Sequence, residues 1–112
     1  MKEQFATYEI AYKLKELGFD EPCFSYYTKE GLIKIYHQSD IYPDFIPAPL
    51  YQQAFRWFRE KYRLYPIIDS FVGVKGVVKF FYKLPMYDET FNTYEEAESA
   101  CLDKLIEICK NK

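Results

Sequence analysis

Apolar residues recur along this chain with two periods, one helical and one extended. Phe5, Tyr8, Ile10, Ala11, Leu14 and Leu17 make a broad apolar stripe at helical spacing, which predicts a first helix over residues 3–17. Gly18 stands where a left-handed residue ends a helix, and Lys13 and Lys15 suit the negative end of its dipole. After a polar turn at Asp20-Glu21-Pro22, residues 23–28 read as a strand rich in Phe24, Tyr26 and Tyr27. Lys29-Glu30-Gly31 supplies a tight turn, and 32–36 make the returning strand. Pro49 opens a second helix, 49–62, whose core face is Tyr51, Ala54, Phe55, Phe58 and Tyr62, widened by Leu50 and Trp57.

Residues 64–72 and 77–84 read as a second hairpin turning near Gly73 and Gly76, with Pro66 favouring an edge position for its first strand. Thr93 and Glu96 form a capping box before the last helix, whose buried face is predicted as Tyr94, Ala97, Cys101, Leu105 and Ile108. Two irregular connections remain. The first, 37–49, carries Pro43, Pro47 and Pro49, yet Ile41, Tyr42, Phe45 and Ile46 are too apolar for a solvated linker, so it should pack across the domain. The second covers 85–92. The order α-β-β-α-β-β-α predicts an α+β fold: one four-stranded, mainly antiparallel sheet packed with three helices.

Tyr8-Glu9-Ile10-Ala11, Tyr51-Gln52-Gln53-Ala54 and Tyr94-Glu95-Glu96-Ala97 stand 43 residues apart, and Gly31-Leu32-Ile33-Lys34 echoes Gly76-Val77-Val78-Lys79. A fixed period of this size suggests an αββ pseudo-repeat closed by a third helix. A shared Tyr-x-x-Ala start is also what unrelated amphipathic helices of similar length show, and both readings stand at this point.

The stretch from Leu14 to Cys23, the stretch from Pro47 to Tyr65, and the stretch from Thr93 to Cys109 together resemble a group of uncharacterised small proteins encoded in phages and mobile elements of gut Bacteroides-like bacteria. The resemblance covers most of the chain in the same order. It implies a bacterial cytoplasm and an accessory role in a mobile element, and it carries over no functional residue.

Length and composition narrow the classes. The 112 residues suit a single domain, 1–112, with 49% hydrophobic and 29% charged residues, as in an ordinary globular protein. The formal net charge of −2 gives no bulk attraction to nucleic acid or anionic membrane. No apolar run matches a signal peptide or a membrane span, so a cytoplasmic location without membrane contact is expected. Cys23, Cys101 and Cys109 form no CxxC pair and read as reduced thiols. The departure from the ordinary is 21% aromatic residues, including 12 Tyr and 10 Phe. Such an excess means either a shallow core with hydroxyls reaching water or a surface built for a partner.

Chemistry is sparse. The single histidine, His37, has no Ser or Cys arranged with it as a nucleophile motif, and Asp40 and Asp44 beside it match no metal pattern. Phosphate-binding and dinucleotide fingerprints are missing. No enzyme, no catalytic residue, no cofactor and no metal is therefore expected. Two surfaces are candidates instead. Gln52, Arg56, Arg59 and Arg63 follow helical spacing and would share a face able to meet phosphates and bases, although a charged outer face is what any surface helix carries. On the sheet, Ile33, Ile35, Val78, Phe80 and Tyr82 would face the helices. Leu32, Lys34, Tyr36, Val77, Lys79 and Phe81 would form the opposite, aromatic and basic face, unless a connection or the third helix covers it. The expected function is a non-catalytic protein-interaction or accessory module, including the homodimer case, using Tyr36, Phe81, Tyr42 and Phe45. The alternative is a small nucleic-acid binder using Gln52, Arg56, Arg59, Arg63, Lys34 and Lys79.

Overall fold

Thr7 sets the start of helix α1 (Tyr8–Leu17): its Oγ1 accepts the Ile10 N–H at 3.3 Å, which satisfies one of the amides that a helix leaves open. The computed structural model describes residues 5–28, 31–34, 45–84 and 89–110. The predicted start at residue 3 is thus corrected, because Phe5 lies outside the helix and bridges Leu50 as a short antiparallel pair. Gly18 closes α1 at φ 110 and donates its N–H back to the last carbonyls. Only Ile10, Ala11 and Leu14 of the stripe are buried within the helix, while Tyr8 keeps 51% of its surface.

Strands β1 (Ser25–Thr28) and β2 (Gly31–Lys34) form the first hairpin, with Ser25 opposite Lys34 and Thr28 opposite Gly31. A short strand β3 (Ile46–Pro47) then pairs with the other edge of β1. The end of the proline-containing connection therefore became a strand, which its prolines had concealed. Pro47 fits because β3 spans two residues at a sheet edge, where a missing N–H costs little. Phe45 packs against the core beside it, as an apolar connection should.

Helix α2 (Tyr51–Tyr62) has no side-chain N-cap and ends at Arg63, a non-glycine residue at φ 58. Strands β4 (Ile67–Val72) and β5 (Val78–Lys83) make the second hairpin, turning through Gly76 at φ 76, a backbone conformation that favours glycine. Helix α3 (Tyr94–Lys110) starts at the capping box: Thr93 Oγ1 accepts the Glu96 N–H at 3.1 Å and reaches Glu96 Oε1 at 3.1 Å.

The class is mixed α+β, as the pattern predicted. Among the described residues the predicted single four-stranded sheet is not found, and that expectation is corrected to this extent. The strands divide into a three-stranded sheet ordered β2-β1-β3 and a separate β4-β5 hairpin. Two of the edges through which the hairpins could have joined are taken. β3 occupies the free side of β1, and Phe91 exchanges backbone hydrogen bonds with Phe80 along the outer side of β5, at 2.9 and 2.7 Å. The three helices begin at Tyr8, Tyr51 and Tyr94, and the alanines three residues on, Ala11, Ala54 and Ala97, are all buried to 1% or less.

The core forms where α3 meets α1 and α2. Leu14, Phe58, Cys101, Leu102 and Leu105 have no exposed surface, and Ile106 has 2%. Phe19, Trp57 and Phe58 continue it as edge-to-face rings, with centroids 5.3 and 5.1 Å apart. Removing the fully buried Phe58 ring leaves a cavity in the core, so Phe58→Ala should cost about 3–5 kcal/mol in chemical denaturation. Val74→Ala, at a position wholly open to water, should stay within about 0.5 kcal/mol of the parent.

Candidate interaction surface

The two ends of the β4–β5 hairpin differ in environment. At its base Ile68, Tyr82 and Leu84 pack against the core. On the same face Phe80 meets the Tyr94 ring edge-on at 6.2 Å, and Tyr82 stacks with Phe91 at 6.3 Å. Toward the turn that support ends. Val72, Val74, Val77 and Val78 keep 68%, 105%, 52% and 45% of their surface; on the other face of the ladder Phe71 keeps 42%, and Ile67, at the base opposite Lys83, keeps 57%. Scattered exposed apolar residues are ordinary, but four valines gathered at one hairpin tip make a cluster of the kind that marks an interaction site. Lys75, Lys79 and Lys83 flank it, against a single carboxylate, Asp69.

The predicted alternation on β5 is present, since Phe80 and Tyr82 turn toward α3 and Phe91 while Lys79 and Phe81 occupy the other face. Phe81 is nevertheless not the exposed ring expected of it. It keeps only 9% of its surface, covered by Phe71 at 5.9 Å and by the Lys83 ammonium 5.7 Å above its ring. Lys79 donates to Asn92 Oδ1 at 2.6 Å. Lys34 ends β2 in the other sheet, so the structure does not place Lys34 and Lys79 on one platform. Phe45 is half-buried on the core, and its carbonyl accepts from Lys15 Nζ at 3.3 Å. Tyr36, Tyr42, His37, Asp40 and Asp44 lie outside the described residues.

On α2, Gln52, Arg56 and Arg59 do share a face. With Pro22, Phe24, Leu50 and Gln53 they line an open groove of ≈ 480 Å³, and Phe24 stands 72% exposed at its side. Arg56 is partly neutralised by Glu21 at 3.8 Å and Glu60 at 3.6 Å. Arg63 does not extend this face, because its left-handed backbone ends the helix there.

Between α1 and α3 an acidic cleft of ≈ 520 Å³ is lined by Glu9, Glu95, Glu96 and Asp103 around the Tyr51 hydroxyl, which shares a 2.6 Å hydrogen bond with Ser99. One carboxyl on α3 is buried: Glu98, at 5% exposure, one turn beyond Tyr94. Burial, and then the charge of Glu95, push its pKa up from 4.5 to about 7. Burial likewise pushes the Cys23 and Cys101 thiols up to about 12, so neither is a reactive thiolate. Among the described residues no three His, Cys, Asp or Glu side chains cluster to hold a metal, and no helix is long and apolar enough to cross a membrane. No family model, no curated protein and no solved structure matches this chain.

Glu98 gives a pH dependence whose sign is fixed. Its folded pKa lies above the ordinary value, so the folded state holds the extra proton between about pH 4.5 and about pH 7. That stability is fully present at acid pH and is lost as pH rises through about 7. Glu98→Gln should therefore raise stability at about pH 8 by on the order of 1–2 kcal/mol, and flatten the profile below it. Urea melts across that pH range test this, and an unchanged profile in the variant would contradict it.

Proposed function

We propose that this protein is a non-catalytic protein-interaction module whose binding element is the β4–β5 hairpin. The observation that carries this reading is the hairpin's division into a base fixed on the core and a tip that exposes Val72, Val74, Val77 and Val78. A rigid base with an apolar tip presents a surface whose ordering cost is met in folding, before any partner arrives. The likeness to small phage and mobile-element proteins supports a place for the module in such an element, in a bacterial cytoplasm. The recurrence of Tyr at the first position and buried Ala at the fourth in all three helices supports an αββ pseudo-repeat as the origin of the fold.

A second reading is favoured by one observation. The groove beside α2 combines an exposed Phe24 ring with Arg56 and Arg59, the pairing of stacking surface and cation that single-stranded nucleic acid uses. Titration with a fluorescent oligonucleotide at low salt separates the two. Under the second reading binding weakens steeply with salt, and Arg59→Ala reduces the slope by about one.

The interaction reading is tested by capturing the tagged chain from a nuclease-treated bacterial lysate that also contains untagged chain, beside the variant Val74→Lys/Val77→Lys. The expected outcome is a specific protein, the untagged chain or another, recovered with the parent and reduced at least about tenfold with the variant. Equal recovery by both would remove the hairpin from the account.

A further inference from the structure

The backbone of β4 has one side committed and one side open. Gly73 donates to Val77 O at 2.7 Å, which marks that opposed pair as hydrogen-bonded. Opposed pairs in an antiparallel ladder alternate between bonded and non-bonded, so Phe71, Asp69 and Ile67 also bond to β5. Phe80, opposite Ser70, confirms the alternation by exchanging its backbone bonds with Phe91 on the far side. Ile68, Ser70 and Val72 therefore direct their N–H and C=O groups away from β5. Among the described residues β4 pairs with β5 alone. The Ser70 N–H is met by the carboxylate of its neighbour Asp69 at 2.7 Å. No lysine or proline interrupts β4, so the edge lacks the usual devices against pairing, apart from Asp69.

Resting on the interaction reading above, we infer that β4 is the seam of a homodimer, pairing antiparallel with β4 of a second copy about a two-fold axis at Ser70. The occupant is chosen by self-complementarity. A two-fold axis perpendicular to the sheet requires opposed residues on the same face, so the axis must pass through a residue of the strand. Centred on Ser70, the register opposes Ile68 with Val72 of the second copy, and Ser70 with itself. All three outward-facing residues are then satisfied, through about six hydrogen bonds between the copies. Asp69 falls opposite Phe71, and the two Asp69 carboxylates avoid direct opposition. Centred on Asp69, the register would oppose like charges and bring Val72 against Pro66, which has no N–H to give. Centred on Phe71, it would run Ile68 into the turn at Val74. The Ser70 register alone uses the whole edge. It makes a continuous sheet β5-β4-β4-β5 and lays the exposed Val72 side chain of each copy against Ile68 of the other. In this arrangement Asp69 releases the Ser70 amide on pairing, and so acts as the guard of the edge in the single chain.

The test is sedimentation equilibrium of the full chain at about 1–100 µM, with two variants. Ser70→Pro deletes the central outward donor while leaving every β4–β5 bond intact, since proline is tolerated where an edge N–H faces solvent. The expected result is a species of twice 13.5 kDa for the parent, and a dissociation constant raised at least about tenfold in Ser70→Pro. Ser70→Cys should form a disulfide between copies under mild oxidation. The opposed Cα atoms at the axis would lie about 5.5 Å apart, within disulfide reach. Val74→Cys, at the turn, should not. A parent that stays monomeric at the top concentration would overturn the inference, as would a dimer indifferent to Ser70→Pro together with no Ser70→Cys cross-link. If the chain is monomeric yet Val74→Lys/Val77→Lys still loses a different captured protein, the interaction reading stands and the second copy falls. If neither association nor capture depends on the hairpin, both fall.

Discussion

The core depends on the burial of α3 between α1, α2 and the β4–β5 hairpin. Cys101, Leu102 and Leu105 have no contact with water, and Ile106 almost none, because α1 and α2 close on one side of the helix while the β4–β5 hairpin meets another. A helix used from two sides needs a wider apolar surface than a single stripe. That width explains why Leu102, Ile106 and Cys109 are buried along with Ala97, Cys101 and Leu105. It also explains Glu98, a carboxyl held in a setting that penalises its charge. The capping box at Thr93 fixes where this helix starts, and so fixes the height at which Phe91 meets Phe80 and Tyr94 meets the same ring. The hairpin is thereby anchored by its base while its tip has nothing described to cover it.

This arrangement gives the exposed apolar residues their meaning. A hairpin of two strands is marginal by itself, and this one is stable because Ile68, Tyr82 and Leu84 join the core. Once the base is fixed, the tip gains nothing in folding from Val72, Val74, Val77 and Val78, so folding does not account for their apolar character. Binding does. The same logic treats the tyrosines unequally: Tyr26 and Tyr51 are buried at 4% and 6% with hydroxyls in hydrogen bonds, while Tyr8, Tyr12 and Tyr65 face water. The aromatic excess therefore serves core and surface together.

Local signals in the sequence were legible where one residue type dictates one geometry. Gly18 as a helix stop, Thr93 with Glu96 as a helix start, and Gly76 in a turn all stand where the pattern put them. The three helices and both hairpins were readable from period alone. Sheet assembly was not, because pairing between hairpins depends on which edges are already occupied. Ile46-Pro47 took one edge and Phe91 another, and neither carries a strand-like pattern. One ring expected at the surface is covered for a related reason. Phe81 belongs to the predicted outer face, but Phe71 and Lys83 cover it, and the exposed residues are smaller valines near the turn. The signal that could have found them is the run Ile67-Ile68-Asp69-Ser70-Phe71-Val72, which is apolar on both faces although only one face of a hairpin can rest on α3.

The proposed pairing requires β4 to be an apolar edge, held on one side by β5 and open on the other. Residue-resolved amide hydrogen exchange of the unmodified chain, followed over a range of concentrations, tests this most directly. The account predicts that the inward amides of Asp69 and Phe71 are protected at every concentration. The outward amides of Ile68 and Val72 should exchange fast when dilute and slow as concentration rises. Outward amides already protected in dilute solution, or inward and outward amides exchanging alike, would contradict it.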